Sequence, residues 1–118
     1  MSLDPELPLT PAAFHILLAL ADGEKHGYAI MQEVTALSAG QVRLGPGSLY
    51  GTIKRLLADG WITEVDDRPD DGAERRRYYR LTELGQRVVR AEALRLARLV
   101  ERARAAHLLS FNGEAAGS

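Results

Sequence analysis

The chain has 118 residues, 46% hydrophobic and 26% charged, and its formal net charge is −1 because 15 Lys and Arg residues stand against 16 Asp and Glu residues. These values fit one small soluble domain, whose core is too small to enclose a large catalytic cavity. The longest apolar run, Ile16–Ala21, is too short for a membrane span. Without cysteine the chain can have no disulfide, thiol catalysis or Cys-ligated zinc, and we expect a cytoplasmic location.

The near-zero net charge argues at first against a nucleic-acid partner, because DNA-binding domains are usually basic. The charge is nevertheless uneven along the chain. Residues 1–42 carry a net charge of −4, residues 43–81 carry +1, and residues 82–109 carry +3. Basic residues cluster at Lys54-Arg55 and at Arg75-Arg76-Arg77, so the sequence keeps two local sites where phosphate could bind.

Three helices are predicted in the first half of the chain. Thr10 as N-cap and Pro11 at the first helical position signal the start of the first helix. The second helix is expected over residues 27–37, where apolar residues recur at helical spacing. The third is expected over residues 49–59, with Ser48 as its cap and an apolar stripe along one side.

After the third helix the apolar period changes to about two, which predicts strands over residues 61–65 and 77–81. The intervening loop gives a hairpin with a long, charged tip. In the second strand, alternation assigns Tyr79 to the core. Thr82 then begins a final helix that can continue to about Leu109, roughly 40 Å.

This order predicts an α+β, mainly α fold: a winged helix-turn-helix domain over residues 9–81, followed by a long C-terminal dimerisation helix over residues 82–109. Residues 1–8 and 110–118 lack periodicity and are expected to be disordered tails.

The outward face of the third helix suits a DNA major groove. It presents Ser48, Gly51, Lys54 and Arg55, with Tyr50 at its flank. Small residues allow close approach, and cations reach phosphates or guanine edges. The alternative is a solvated face whose charges serve solubility. An exposed mid-helix glycine costs on the order of 1 kcal/mol relative to alanine, so Gly51 favours an approaching partner.

In the hairpin, Arg75 and Arg76 are candidates for a wing that contacts phosphates. The alternative is charge balance within the same loop, because nearby carboxylates would repel phosphate. Those acids are Asp66, Asp67, Asp70, Asp71 and Glu74.

The final helix carries a heptad-like stripe that predicts a helix partner, most simply from a second copy in a twofold dimer. Its residues are Val89, Ala93, Leu96, Val100, Ala103 and His107. The alternative is packing on its own domain, but so long a helix extends past a three-helix core.

Catalysis has little support. The histidines His15, His26 and His107 are far apart and show no metal-ligand spacing, and no phosphate-binding glycine loop or serine elbow is present. We therefore expect a protein that is not an enzyme and that needs no metal or cofactor. His26 is expected to help begin the second helix.

Five motifs occur in an order that resembles the PadR family of bacterial transcriptional regulators, over roughly residues 9–105. They are Leu9-Thr10, His26-Gly27-Tyr28, Gly47-Ser48-Leu49-Tyr50, Gly60-Trp61-Ile62, and Tyr78-Tyr79-Arg80-Leu81-Thr82 with Gly85. In length the chain is similar to the short subfamily, which has a single C-terminal helix.

The resemblance implies a winged-helix repressor that dimerises through its C-terminal helix and leaves an inverted-repeat DNA operator when a small hydrophobic or phenolic effector binds. It also implies DNA contacts from Ser48, Tyr50, Lys54 and Arg55, and wing contacts from Arg75, Arg76 and Arg77.

The chain departs from the family pattern at the wing, where acids lie close to the arginines, and in the last helix. Some short members use a tryptophan there to stack on flat ligands, whereas Trp61 here lies at the first predicted hairpin strand. An effector site would instead be lined by Leu96, Leu99 and Val100. A protein-interaction module without an operator of its own stays open as the alternative function.

Overall fold

The computed structural model of the protein describes residues 7–65 and 77–109. The described residues form four α-helices and three short strands. In chain order they are α1 (Pro11–Ala19), β1 (Lys25–His26), α2 (Gly27–Leu37), α3 (Pro46–Ala58), β2 (Ile62–Val65), β3 (Tyr78–Leu81) and α4 (Glu83–Ala105).

The sheet is antiparallel throughout and has the order β1-β3-β2. β2 and β3 are the predicted hairpin strands, and Ile62 pairs with Leu81. The two-residue strand β1 was not predicted from the sequence, since its pairing of Lys25 with Tyr79 bridges distant parts of the chain. It fastens the start of α2 to the hairpin.

Side-chain caps begin α1 and α2. The Thr10 hydroxyl accepts the backbone N–H of Ala13 at 3.1 Å, and Pro11 occupies the first helical position, which confirms the predicted start of α1. The Nδ1 atom of His26 accepts the N–H of Ala29 at 3.2 Å, so this histidine does begin the second helix.

The third helix starts earlier than predicted. α3 begins at Pro46 with Gly45 as its N-cap, and the Leu49 N–H donates to the Gly45 carbonyl at 2.8 Å. Ser48 therefore lies inside the first turn and is not the cap. The fixed φ of a proline at the first helical position, whose missing N–H costs nothing there, explains the earlier start.

The final helix ends earlier than predicted. Its N-cap is Thr82, whose hydroxyl accepts the Gly85 N–H at 2.9 Å as expected, but α4 stops at Ala105 and is therefore about 35 Å long. His107 has a φ of +63°, and the Leu108 N–H donates to the Ala103 carbonyl at 2.9 Å. This Schellman-type closure puts His107 beyond the helical stripe.

One core joins all four helices to the sheet. Tyr79 is 2% exposed, which confirms its assignment to the core. Gly85 permits close contact between α4 and Trp61, the residue before β2, since a Cβ there would overlap the Trp61 carbonyl oxygen. The aliphatic residues of this core that are at most 2% exposed are Ile16, Leu17, Ala19, Leu20, Ile30, Val34, Leu49, Ile53, Leu56, Ile62 and Val88. The architecture is the predicted winged helix-turn-helix fold.

Candidate nucleic-acid interface

The outer face of α3 is open to solvent along its whole length. Leu49, Ile53 and Leu56 turn into the core, and the opposite side exposes the sequence-predicted residues Ser48, Gly51, Lys54 and Arg55. A Cβ placed on Gly51 would meet no heavy atom within 4 Å. Neither the packing nor the backbone conformation of α3 therefore requires glycine at this position.

Lys54 and Arg55 provide positive charge at this face. Within the described residues neither side chain forms an ion pair, whereas Lys25, Arg77, Arg95 and Arg104 each lie beside a carboxylate. On an exposed helix face, a cation that forms no internal ion pair can reach a phosphate or a guanine edge without first breaking such a pair.

Tyr50 lies at the junction of α2 and α3. Its side chain is half exposed, and its ring packs against Gly27, the first residue of α2. Tyr50 also affects Tyr79 of β3: burial raises the pKa of the Tyr79 hydroxyl, and the Glu64 carboxylate and the Tyr50 hydroxyl raise it further.

Only one of the three predicted wing arginines lies among the described residues. Arg77 precedes β3, is exposed, and has its Nε atom 3.6 Å from Oε2 of Glu64. Arg75 and Arg76 fall outside the described residues, as do the loop acids predicted to oppose them. Their contribution to DNA contacts stays a prediction.

The predicted dimer stripe of α4 divides between core and surface. Val89 is 8% exposed and belongs to the core of its own domain. Further along, Leu96 and Ala103 are half-buried, while Ala93 and Val100 are exposed. His107 is exposed and lies beyond the end of the helix.

Leu99, predicted with Leu96 and Val100 to line an effector site, is 55% exposed on the same side of α4. The face that packs on the domain near Val88 thus continues as an exposed apolar surface in the second half of the helix.

Across residues 7–65 and 77–109, no group of three or more His, Cys, Asp or Glu residues is arranged to hold a metal ion. The same part of the chain contains no helix that is both long and apolar enough to cross a membrane.

Family comparison decides the class of the protein. The model of the Transcriptional regulator PadR-like family matches residues 16–91, from the middle of α1 into α4, which is more than half of the chain. The chain belongs to this family. The family resemblance expected from the five motifs is therefore confirmed, and the PadR-like chain is classed with transcription regulators and not with enzymes.

Two curated relatives match the PadR-like chain. It is 44% identical over 72 residues to the transcriptional regulator Rv3488 of Mycobacterium tuberculosis. The aligned region covers 61% of this chain and 63% of that protein. It is 43% identical over 84 residues to an uncharacterized 37.1 kDa protein in transposon TN4556 of Streptomyces fradiae. The aligned region covers 71% of this chain and 22% of that protein. The chain thus spans less than two thirds of either relative.

Solved structures of PadR regulators share the fold. A PadR family transcription regulator from Clostridium difficile superposes with a TM-score of 0.67 at 19% identity, covering 79% of this chain and 94% of that one. Bacillus subtilis PadR, solved in complex with operator DNA, gives 0.61 at 23% identity, covering 71% of this chain and 47% of that one.

The sequence did not predict that Gly27 lies against the Tyr50 side chain, which occupies the space that a Cβ at residue 27 would need. A signal was present, because glycine is a poor helix former and here occupies the first position of a helix.

Proposed function

We propose that this PadR-like protein is a homodimeric, sequence-specific DNA-binding repressor that acts in the cytoplasm. The observation that carries the proposal is the exposed outer face of α3, with small residues near its start and two cations one turn later. Among the described residues these cations have no carboxylate partner. This arrangement matches a recognition helix, whose N-terminal part approaches base edges while its cations contact the backbone.

The dimer would form through the exposed apolar part of α4. Leu99 is 55% exposed and Val100 is 40% exposed on a helix face that begins in the core. Two copies would present their α3 helices to successive major grooves. The operator would then be an inverted repeat with half-site centres about one helical turn, roughly 10 base pairs, or a multiple apart.

A small hydrophobic or phenolic effector would release the operator by binding among Leu96, Leu99 and Val100. The aliphatic character of these side chains supports an apolar ligand. A compound of this class should weaken operator binding by the wild-type protein and should have a smaller effect on the Leu99→Asn variant. An equal effect on both proteins would place the effector elsewhere.

Selection of bound sites from random duplex DNA tests the function directly. Enrichment of an inverted repeat, with affinity that falls steeply as salt rises, is the expected result, because phosphate contacts release counterions. Absence of DNA binding even at low salt would contradict the repressor and favour a protein-interaction module.

A further inference from the structure

Gly27 and Tyr50 are in unusually close contact. A Cβ built on Gly27 would overlap the Tyr50 hydroxyl and would lie 2.8 Å from Cζ and 3.1 Å from Cε1 of the ring. Gly27 is buried, whereas Tyr50 is 50% exposed. The hydroxyl end of the Tyr50 ring therefore lies against the backbone of α2, and about half of the residue is exposed to solvent.

Backbone conformation gives no reason for glycine at this position. The described glycines with positive φ are Gly23, Gly40 and Gly60, and Gly27 is not among them. Alanine would be a better helix former at the same φ. The space taken by the Tyr50 ring is thus the feature of this structure that requires glycine.

The contact joins the elements that would face DNA. Gly27 directly follows β1, which pairs with β3 at Lys25 and Tyr79. Tyr50 lies four residues before Lys54, so the two side chains are neighbours on the surface of α3. The position of the ring therefore depends on α2, and the solvent-facing part of the ring lies beside a predicted phosphate contact.

We propose that Gly27 is a positioning residue for operator recognition, which seats the Tyr50 ring so that its exposed part meets the same DNA as Lys54. This inference rests on the proposed function, because it assumes an operator. The Tyr50 hydroxyl is the side-chain atom nearest to Gly27, so residue 27 sets the place from which this hydroxyl can donate to a phosphate or sugar oxygen. Such contacts fix the register of a recognition helix on the duplex. A side chain at residue 27 displaces that ring without removing any DNA-facing group.

A double-mutant cycle tests the proposal. The variants are Gly27→Ala, Tyr50→Ala and their combination, and affinity is measured on the selected operator and on a random-sequence duplex. Gly27→Ala should weaken operator binding about tenfold, the effect of losing roughly 1.4 kcal/mol. In the Tyr50→Ala background the same change should alter affinity less than about twofold, because no ring remains to be displaced. Binding to the random duplex should change little, since the cations are retained.

Gly85→Ala is the matched control, because Gly85 is also sterically closed but against the Trp61 backbone carbonyl. This substitution should lower the thermal unfolding midpoint equally with Tyr50 or Ala at residue 50. If Gly27→Ala alone does not fold, the Gly27→Ala/Tyr50→Ala protein should fold and bind the operator as Tyr50→Ala does.

Several results would overturn the proposal. Unchanged operator affinity in Gly27→Ala, an equal loss in both residue-50 backgrounds, or an unfolded double variant would each show that Gly27 does not act through Tyr50. Failure of the wild-type protein to enrich any DNA sequence would instead contradict the proposed function itself, before any variant is measured.

Discussion

At the scale of single residues, Lys54 and Arg55 combine exposure with the absence of an ion pair in the described part of the chain. An exposed cation that forms no ion pair makes no electrostatic contact that stabilises the fold, and even surface ion pairs contribute little. We therefore expect that substituting Lys54 or Arg55 has little effect on folding. Their value would lie in contacts with a polyanion. Side-chain identity and helical spacing sufficed to predict this outward pair, because both residues lie opposite a regular apolar stripe.

Lys54→Ala and Arg55→Ala should each weaken operator binding about fivefold or more and should reduce the dependence of log affinity on log salt by about one. Gel-shift titrations at several salt concentrations measure both quantities. Arg98→Ala removes the same charge from an exposed position of α4 and serves as the control. Equal effects of all three variants would indicate a general charge effect and not a recognition helix.

Gly51→Ala should have opposite effects on stability and on DNA binding. A methyl group at residue 51 points into open space, so the variant should be more stable by up to about 1 kcal/mol because alanine favours helix. If DNA approaches the backbone there, operator affinity should fall about fivefold. Thermal unfolding and gel shift measure the two effects. A stabilised variant with unchanged operator affinity would show that DNA does not come close at this position.

At the scale of elements, the sequence predicted the start of a helix correctly where a side chain caps it, in α1 and α4, but not in α3, where no side chain does. Thr10 and Thr82 cap α1 and α4 through their own hydroxyls, a local interaction that the sequence reveals directly. The predicted cap at Ser48 was wrong, because α3 begins at Pro46 with Gly45 as its N-cap. Proline prevails because its φ is already helical.

One tertiary contact between elements involves a buried charge. Glu92 of α4 is 2% exposed, accepts the Leu9 N–H at 3.0 Å, and receives two hydrogen bonds from the Arg95 guanidinium at 2.6 and 3.0 Å. The bonds from Arg95, together with the bond from Leu9, hold the pKa of the Glu92 carboxyl below its ordinary value despite burial. The segment before α1 is thereby fastened to the last helix.

Because the folded-state pKa of Glu92 is lowered, its ionised form stabilises the fold above about pH 4.5, and this contribution is lost as the pH falls through the folded value. Glu92→Gln should reduce the free energy of unfolding by about 2 kcal/mol at pH 7 and should flatten its acid dependence. Denaturant titrations between pH 7 and pH 3 measure both effects.

Glu101→Gln, in an exposed pair with Arg104, is the control and should cost less than about 0.5 kcal/mol. Equal losses of unfolding free energy in the two variants would show that the buried contact of Glu92 stabilises the fold no more than an exposed ion pair does.

At the scale of the whole molecule, α4 is the element that extends beyond the domain. Its first half packs through Val88 and Val89, while its second half exposes apolar side chains on the same side. An apolar helix face open to water is stabilised by a partner, and a twofold pair of identical helices is the simplest arrangement.

Val100→Glu should therefore convert dimers into monomers in sedimentation experiments at micromolar concentration, because it would bury two like charges at the interface. Leu94→Glu is the matched control. Leu94 is also an exposed aliphatic residue, 51% against 40% for Val100, but helical spacing places it about 120° from Val100 and about 140° from Leu99 around the axis of α4. Persistence of the dimer in Val100→Glu would move the interface to another surface.

The sequence by itself determined the order of helices and hairpin strands, the buried stripe of α3, the core position of Tyr79 and the family. These depend on periodicity, capping and ordered motifs, which are local properties of the chain. Tertiary structure decided the pairing of β1 with β3, the burial of Glu92 against the segment before α1, and the seating of Tyr50 on Gly27. Each of these brings together residues distant in sequence, and their proximity follows only once helices and sheet have packed around a common core.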